Sequence, residues 1–462
     1  MLARAQRRFG VDRDHARLHT DRRRNGRLRL GPLGLRRPRA AGHHQDRKGD
    51  DEVLHRSTML LGLAIASASA LVVAERALQR AGAQARVRPG IDVLLSESAH
   101  LVAGKRLGLL TNATGVDAAG VRTVDRLWAA SADTLNPETR NLAPRLTALF
   151  APEHHFAATL RPGETFGDSL DPATGLPIYS LYGANRAPTP AQFALIDALI
   201  IDLQDVGARP FTYISTAVRS MQAAAALGKR VIVLDRPNPI GCRMQGPVLD
   251  TAHASFIGLL PVPLRHGMTF GELARFANAE LGIGADLVVV PVEGWRRCDW
   301  FEDTGLPFVR PSPNLPDMLS IEWYAGTVLL EATNLSVGRG TDAPFRQVGA
   351  PWLDGVQVAR EASRRGLRVR LVTFTPQDPG DGKYPGRAIP GVRLPRLDRD
   401  SGDPVAMALT LLDAIAAAHP GSLTVDQNGL ALRLGTRRAP GRISWSHEAE
   451  VFRRRIQTYL LY

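Results

Sequence analysis

From Pro89 onward, short apolar runs rich in Val, Ile and Leu alternate with longer stretches whose apolar residues recur at helical spacing. Such an alternation predicts a parallel sheet joined by crossover helices, hence an α/β fold. The strands fall on "RLGLLTN", "LTALFAPE", "ALIIDLQD", "KRVIVLD" and "ADLVVVPVEGW". Between the third and fourth, "TYISTAVRSMQAAAALGK" sets Ile214, Val218, Met221 and Ala225 at helical spacing and puts Gly228 where a helix would end.

Past "TGLPFVRPSP" the pattern changes, which predicts a boundary between a first domain at 89–306 and a second at 307–462. A helix is expected over 317–331, with Leu319, Trp323 and Val328 as core, running into a loop that holds Asn334, Ser336, Arg339 and Thr341 among glycines. Glycine lets backbone approach a ligand closely, but the same residues make ordinary turns. "YPGRAIPGVRLPRLDRD" reads as a Pro- and Arg-rich surface loop. The helix "DPVAMALTLLDAIAAAHPG" and the terminal "SHEAEVFRRRIQTYLLY" read as structural elements that complete the second domain.

Charge is concentrated at the other end. Residues 1–58 hold 16 Lys or Arg against 7 Asp or Glu and so supply most of the formal +13. An RNA- or membrane-binding arm would look like this, yet the segment lacks apolar periodicity and reads as a disordered basic extension, translated only if Met1 is the start. Met59 opens "MLLGLAIASASALVVA", short for a bilayer span but suited to a signal peptide, with a small-x-small site in "GAQA" at 82–85. The expectation is a signal peptide or anchor over 59–85 and an exported, periplasmic mature chain with no stable membrane insertion. If Met1 is the start and the run is not cleaved, the chain is cytoplasmic or membrane-anchored. Cys242 and Cys298 have no zinc or redox spacing and are either free or paired.

The chemistry gathers at strand ends. Four successive strands finish with Asn112, then Glu153, then Asp202 and Asp205, then Asp235, Arg236 and Asn238. In open α/β sheets ligands bind outside the strands' carboxyl ends, although Asp and Asn also cap helices and start turns. The turn "TNATGVDAAG" has neither G-x-G-x-x-G nor a Walker A lysine, and "GIG" at 282–284 follows a helix, so phosphate cradles are disfavoured. His154 and His155 lie on opposite faces if the strand continues, and no metal-ligand spacing exists, so no metal or cofactor is expected. Acids, amides and an arginine without a metal suit a polyol or sugar rather than a nucleic acid.

From about Lys105 onward the chain resembles the NamZ-type exo-β-N-acetylmuramidases, formerly a domain of unknown function. The blocks are "GLLTNATGVD", "FAPEHHF", "TGLPIYSLYG", "DLQDVGARPFTYI", "DRPNPIGCRMQGPVLD", "RHGMTFGELA", "PSPNLP", "EATNLSVGRGTDAPF" and "GAPW", in that order. Departures are Ala332 and His155 where Gly is expected, the stretch at Pro210, near which a further aromatic is expected, and Arg346 and Gln245 in place of acids. The resemblance implies a Rossmann-like, mostly parallel sheet domain, a smaller α/β or α+β C-terminal domain closing over it, and release of non-reducing terminal N-acetylmuramic acid from peptidoglycan fragments.

Glycosidic cleavage needs an acid near the leaving oxygen and a second group for water or the anomeric carbon. Glu153, fixed by Pro152 at a strand end, is the expected acid, with burial raising its pKa. The second group is Asp202, Asp205, Glu272 or Glu331, or the substrate's acetamido group assisted by a carboxylate or by Tyr213. Arg209, Arg236 and Arg339 are candidates for the lactyl carboxylate unless they pair with Asp205, Asp235 or Asp342. His154, Asn112, Asp235, Asn238 and Asn334 complete the expected binding set. A non-catalytic muropeptide-binding periplasmic protein and a nucleotide-sugar transferase are the alternatives.

Overall fold

The computed structural model describes residues 87–132, 142–161, 163–437 and 445–462. The basic extension and the signal peptide or anchor expected over 1–58 and 59–85 lie outside the described residues. The main sheet has seven strands: β1 (Arg106–Thr111), β2 (Arg145–Ala151), β3 (Ser169–Leu170), β4 (Pro177–Ser180), β5 (Ala198–Asp202), β6 (Arg230–Leu234) and β9 (Leu287–Val290). Their order is β3-β4-β2-β1-β5-β6-β9, all parallel except β3. All five strands expected from the pattern are present. The chain builds outward through β2 and β4, then returns to the other side of β1 with β5, so the topology switches between β1 and β5.

Alternation along the strands explains the layering. Leu107, Leu109, Ala198, Ile200, Ile232 and Leu234 form one buried cluster with helices α1 (Gly90–Ser96) and α2 (Thr123–Ala132). Leu110, Leu199, Ile201, Val231 and Val233 join another with α3 (Tyr213–Ala226) and α4 (Phe270–Glu280). Each such side chain contributes about 1.5–3 kcal/mol on full burial. Gly228, at φ +60°, leaves α3 as expected.

The second cluster continues into the C-terminal half through Trp323, Phe345 and Ile415. There α5 (Met318–Thr327), capped by Asp317, tightens into 3-10 turns over Val328–Ala332. It crosses α7 (Pro404–Ala418) closely: a Cβ on Gly326 would stand 1.9 Å from the Pro404 carbonyl oxygen, so only glycine fits. A three-stranded antiparallel sheet, β10 (Gln347–Gly349), β12 (Ile389–Arg393) and β11 (Arg370–Phe374), has β12 in the middle and α6 (Gly355–Arg364) against it. This corrects the surface-loop reading of "YPGRAIPGVRLPRLDRD". Ile389, Gly391 and Val392 are buried, and Gly391 lets the Phe374 ring and Gly349 lie on the strand, a role that Pro- and Arg-rich composition conceals.

A small ribbon, β7 (Gln245–Val248) with β8 (Pro263–Arg265), connects the halves, and Cys242 pairs with Cys298 as a disulfide. Helices α8 (Gln427–Leu434) and α9 (Ser446–Arg455) end the fold, and the chain then returns to the first half. Phe452 and Tyr459 meet the Phe276 ring edge-on, and Arg275 donates to the carbonyls of Thr458, Tyr459 and Leu460. The Tyr462 hydroxyl donates to Asp235 Oδ2 at 2.8 Å and accepts from the Val292 amide at 2.7 Å. Tyr462→Phe leaves the buried Val292 amide without its acceptor and removes one of the four donors to Asp235, so it should cost about 1–3 kcal/mol in urea unfolding; an unchanged midpoint would mean that this return does not clamp the sheet.

Candidate active site

Three of the four polar strand ends face inward. At the β1/β5 switch, Arg236 Nε and Nη2 donate to the two Asp202 carboxylate oxygens at 2.6 and 3.0 Å, and Nη2 also donates to the Val116 carbonyl. Thr123 donates its hydroxyl to Asp202 as well. The crevice where such sheets hold ligands is thus filled by the protein's own ion pair. Asp205 Oδ2 sits 3.1 Å from His266 Nε2 and accepts the Gly207 amide. Asp235 accepts from the Arg236 and Gly271 amides and from Thr269 and Tyr462 hydroxyls; burial pushes its pKa up to about 6. Asn238 ties Met268 to Ile240, and Asn112 Oδ1 accepts from Thr114. For these positions the capping and turn roles won.

Glu153 is different. The strand stops at Ala151, and after Pro152 and Glu153 the chain turns sharply, with His154 and His155 both left-handed at φ +71° and +69°. This replaces the extended arrangement expected for the pair. Non-glycine residues in that region cost about 1 kcal/mol or more each, and such strain clusters at functional sites. The Glu153 carboxylate accepts the Thr212 hydroxyl at 2.5 Å and the Gly163 amide at 3.2 Å. Thr212 is the N-cap residue of α3, yet its side chain makes no cap hydrogen bond; it is spent on Glu153. Burial, and then the nearby Glu153 carboxylate, push the Tyr182 pKa up to about 12.

Glu153 and His154 stand on the wall of a pocket of about 400 Å³, within the usual range for small-ligand sites. Across from the β2 and α3 residues, the 3-10 turn after α5 brings in Glu331, the glycine loop brings Arg339, and Lys383 and Arg433 come from later segments. A larger hollow of about 1000 Å³ beside β7, α7 and α9 takes nothing from the β2, α3 or α5 motifs. Among the four carboxylates considered as partners of Glu153, only Glu331 reaches the pocket. Glu272 is engaged by Arg297 and the Thr269 and Leu461 amides, and Asp202 and Asp205 by the partners above.

The arginine assignments change for the same geometric reason. Arg339 Nε donates to Glu331 Oε1 at 2.6 Å and its guanidinium lies over the Phe345 ring at 4.9 Å, so it is committed to Glu331 rather than free for a substrate carboxylate. Arg209 is interior, donating to the carbonyls of Pro247, Val262 and Arg433, with burial lowering its pKa to about 9. It therefore fixes the backbone of Arg433. Asn334 ties Ser422 to Thr424, and Tyr213 donates to the Pro311 carbonyl at 2.5 Å with its ring near His154. Burial lowers the His154 pKa, partly opposed by Glu153; its Nδ1 lies 2.9 Å from the Leu160 carbonyl, which assigns the proton to Nδ1 and leaves Nε2 as an acceptor.

The two halves that build this pocket each match a family model: "Exo-beta-N-acetylmuramidase NamZ, N-terminal" over residues 107–319 and "Exo-beta-N-acetylmuramidase NamZ, C-terminal" over 322–462. The chain belongs to the NamZ family. It is 42% identical over 339 residues to the peptidoglycan β-N-acetylmuramidase NamZ of Bacillus subtilis (strain 168), covering 72% of this chain and 78% of that protein. Two crystal structures of DUF1343 family proteins from Bacteroides fragilis NCTC 9343 share the fold, with TM-scores of 0.69 and 0.65 at 32% and 30% identity, each covering 82% of this chain and 99% of the other. As a NamZ family member the protein is a glycosidase.

Thr212 and Tyr182 were within quoted motif blocks but not singled out, whereas Lys383 and Arg433 had no local signal at all. The Arg339–Glu331 pair generates a stability prediction. Burial alone would raise the Glu331 pKa, but Arg339 and Arg433 outweigh it and hold the carboxyl below its ordinary 4.5. Its contribution is therefore complete above about pH 4.5 and lost as the pH falls through the depressed value. Arg339→Ala leaves Glu331 poorly paired and should cost about 3 kcal/mol at pH 7. The loss should shrink toward pH 3 in denaturant titrations; a constant loss would show that the pair does not govern Glu331.

Proposed function

We propose that the pocket binds the non-reducing terminal N-acetylmuramic acid of a peptidoglycan fragment, with Glu153 as the acid and Glu331 as the second carboxylate. Family membership makes the protein an exo-acting glycosidase of peptidoglycan fragments; the observation that carries the atomic assignment is that Glu153 and Glu331, from opposite halves, line one pocket. A pair of carboxyl groups beside the scissile bond is what glycosidases use. As the anomeric C–O bond breaks, the Glu153 proton passes to the departing oxygen. Water adds its oxygen to the anomeric carbon, and the proton it releases restores the acid. The Thr212 hydroxyl can donate to ionised Glu153 and accept from it when protonated, so its position survives both states. His154 Nε2 adds an uncharged acceptor for a sugar hydroxyl or amide.

The lactyl carboxylate is assigned to Lys383 and Arg433. Three cations, Arg339, Arg433 and Lys383, line the pocket with Glu331 and Asp381 beside the proposed acid Glu153; the Arg339 charge is consumed by Glu331, from which Arg433 Nε lies a longer 3.4 Å. Burial lowers the Lys383 pKa; Asp381 and Glu331 oppose this, while Arg433 and Arg339 lower it further. A substrate anion relieves that excess of positive charge. A muramic acid glycoside should thus be cleaved faster than the matching glucosamine glycoside by roughly 30- to 1000-fold. Lys383→Met should narrow that ratio about tenfold without slowing the glucosamine glycoside; a parent enzyme with equal rates on both removes lactyl recognition.

A nucleotide-sugar transferase is opposed by the Asp202–Arg236 pair, which occupies the phosphate-binding crevice. A binding protein without catalysis would release no product. Export of the mature chain fits the apolar run from residue 60, the Cys242–Cys298 disulfide, and the absence among the described residues of a helix long and apolar enough to cross a membrane. N-terminal sequencing of protein from its native envelope fraction should begin near residue 86; residues 1–58 on soluble cytoplasmic protein would refute export.

Glu153→Gln keeps shape and removes the proton. Its kcat on an unactivated disaccharide should fall by at least about 10²-fold, and far less on a nitrophenyl glycoside that leaves without protonation. Full disaccharide activity in a stably folded variant would end the assignment.

A further inference from the structure

The proton donor of a glycosidase lies between the sugar that stays and the sugar that leaves, so the surroundings of Glu153 on the side away from Glu331 bear on the leaving group. Glu331, Arg339 and Lys383 line the same pocket as Glu153. Tyr182, close enough to Glu153 to feel its charge, presents a half-buried ring whose centroid is 6.5 Å from that of Phe256 at 48°. The exposed Arg186 guanidinium lies 4.0 Å from the Phe256 ring centroid, and Ile257, next in the chain, lines the pocket itself. A ledge of two half-buried aromatic rings edged by a guanidinium thus starts at the reacting carboxylate and runs outward.

We propose that Tyr182, Phe256 and Arg186 bind the leaving sugar, the N-acetylhexosamine ring on the reducing side of the scissile bond. This rests on Glu153 as the proton donor. Pyranose rings carry an apolar C–H face and a rim of hydroxyls, which suits a surface combining ring area with fixed donors. The Arg186 guanidinium, stacked on the Phe256 ring, adds hydrogen-bond donors at the edge of the ledge. Neither residue is needed to fix the terminal muramic acid, which lies inside Glu153. Tyr182 joins the two sites: it lies near the Glu153 carboxylate while its ring borders the ledge.

The test separates the two sugars by substrate. An N-acetylmuramyl fluoride fills only the inner site and carries a leaving group with no ring and no need of protonation, whereas N-acetylmuramyl-N-acetylglucosamine fills both. In Phe256→Ala and in Arg186→Ala the ratio of the disaccharide KM to the fluoride KM should rise about fivefold, with little change in melting temperature. An unchanged ratio, including equal changes in both KM values, overturns the ledge. Failure of the underlying reading is seen separately: a Glu153→Gln variant with full disaccharide activity removes the proton donor whatever Phe256 and Arg186 do.

Discussion

The buried Asp202–Arg236 ion pair decides where this fold can do chemistry. It closes the crevice at the β1/β5 switch, with both carboxylate oxygens and the guanidinium satisfied by each other, by Thr123 and by the Val116 carbonyl. A buried pair is not a source of great net stability, but removing one member strands the other, so the arrangement is hard to undo. With the crevice filled, the strand end that reaches the pocket of about 400 Å³ is a different one. That is β2, at the other side of β1, where Glu153 emerges.

What faces Glu153 comes from a different kind of structure. The second half supplies Glu331 from 3-10 turns and Arg339 from a glycine loop, and Arg209, a residue of the first half, holds the backbone of Arg433 from behind. The pocket's charges are therefore fixed to both halves at once. Arg339 keeps Glu331 ionised, and the cations left over favour an anionic ligand. Phe345, itself at φ +63°, packs beneath the Arg339 guanidinium, so strain sits on this wall as it does beside Glu153.

The parallel sheet was legible because its strands are near-continuous apolar runs separated by stretches of helical period, and Glu153's place at a pocket was legible because it directly follows a buried strand. The same logic overreached at Asp202, Asp205, Asp235 and Asn238: strand-end polarity marks both ligand sites and internal turns, and only three-dimensional partners tell them apart. Arg339 was found but given the wrong partner, because Glu331 lies on the preceding turn element and sequence spacing does not reveal how a glycine loop folds back. Lys383 and Arg433 could not be found, since their place depends on contacts between segments far apart in the chain. The β12 strand was lost to its Pro and Arg content.

His155 shows how a departure from the family pattern can be read physically. The position is left-handed, a conformation that glycine adopts freely and histidine at a cost of about 1 kcal/mol. The imidazole meets the Phe166 ring edge-on at 4.7 Å, a contact that glycine cannot make and that offsets part of that cost. The turn itself is thus preserved while its chemistry changes. Because Pro152 fixes the backbone before Glu153 and two left-handed residues fix it after, the carboxylate is held from both directions, and Thr212 and Gly163 have only to select its rotamer.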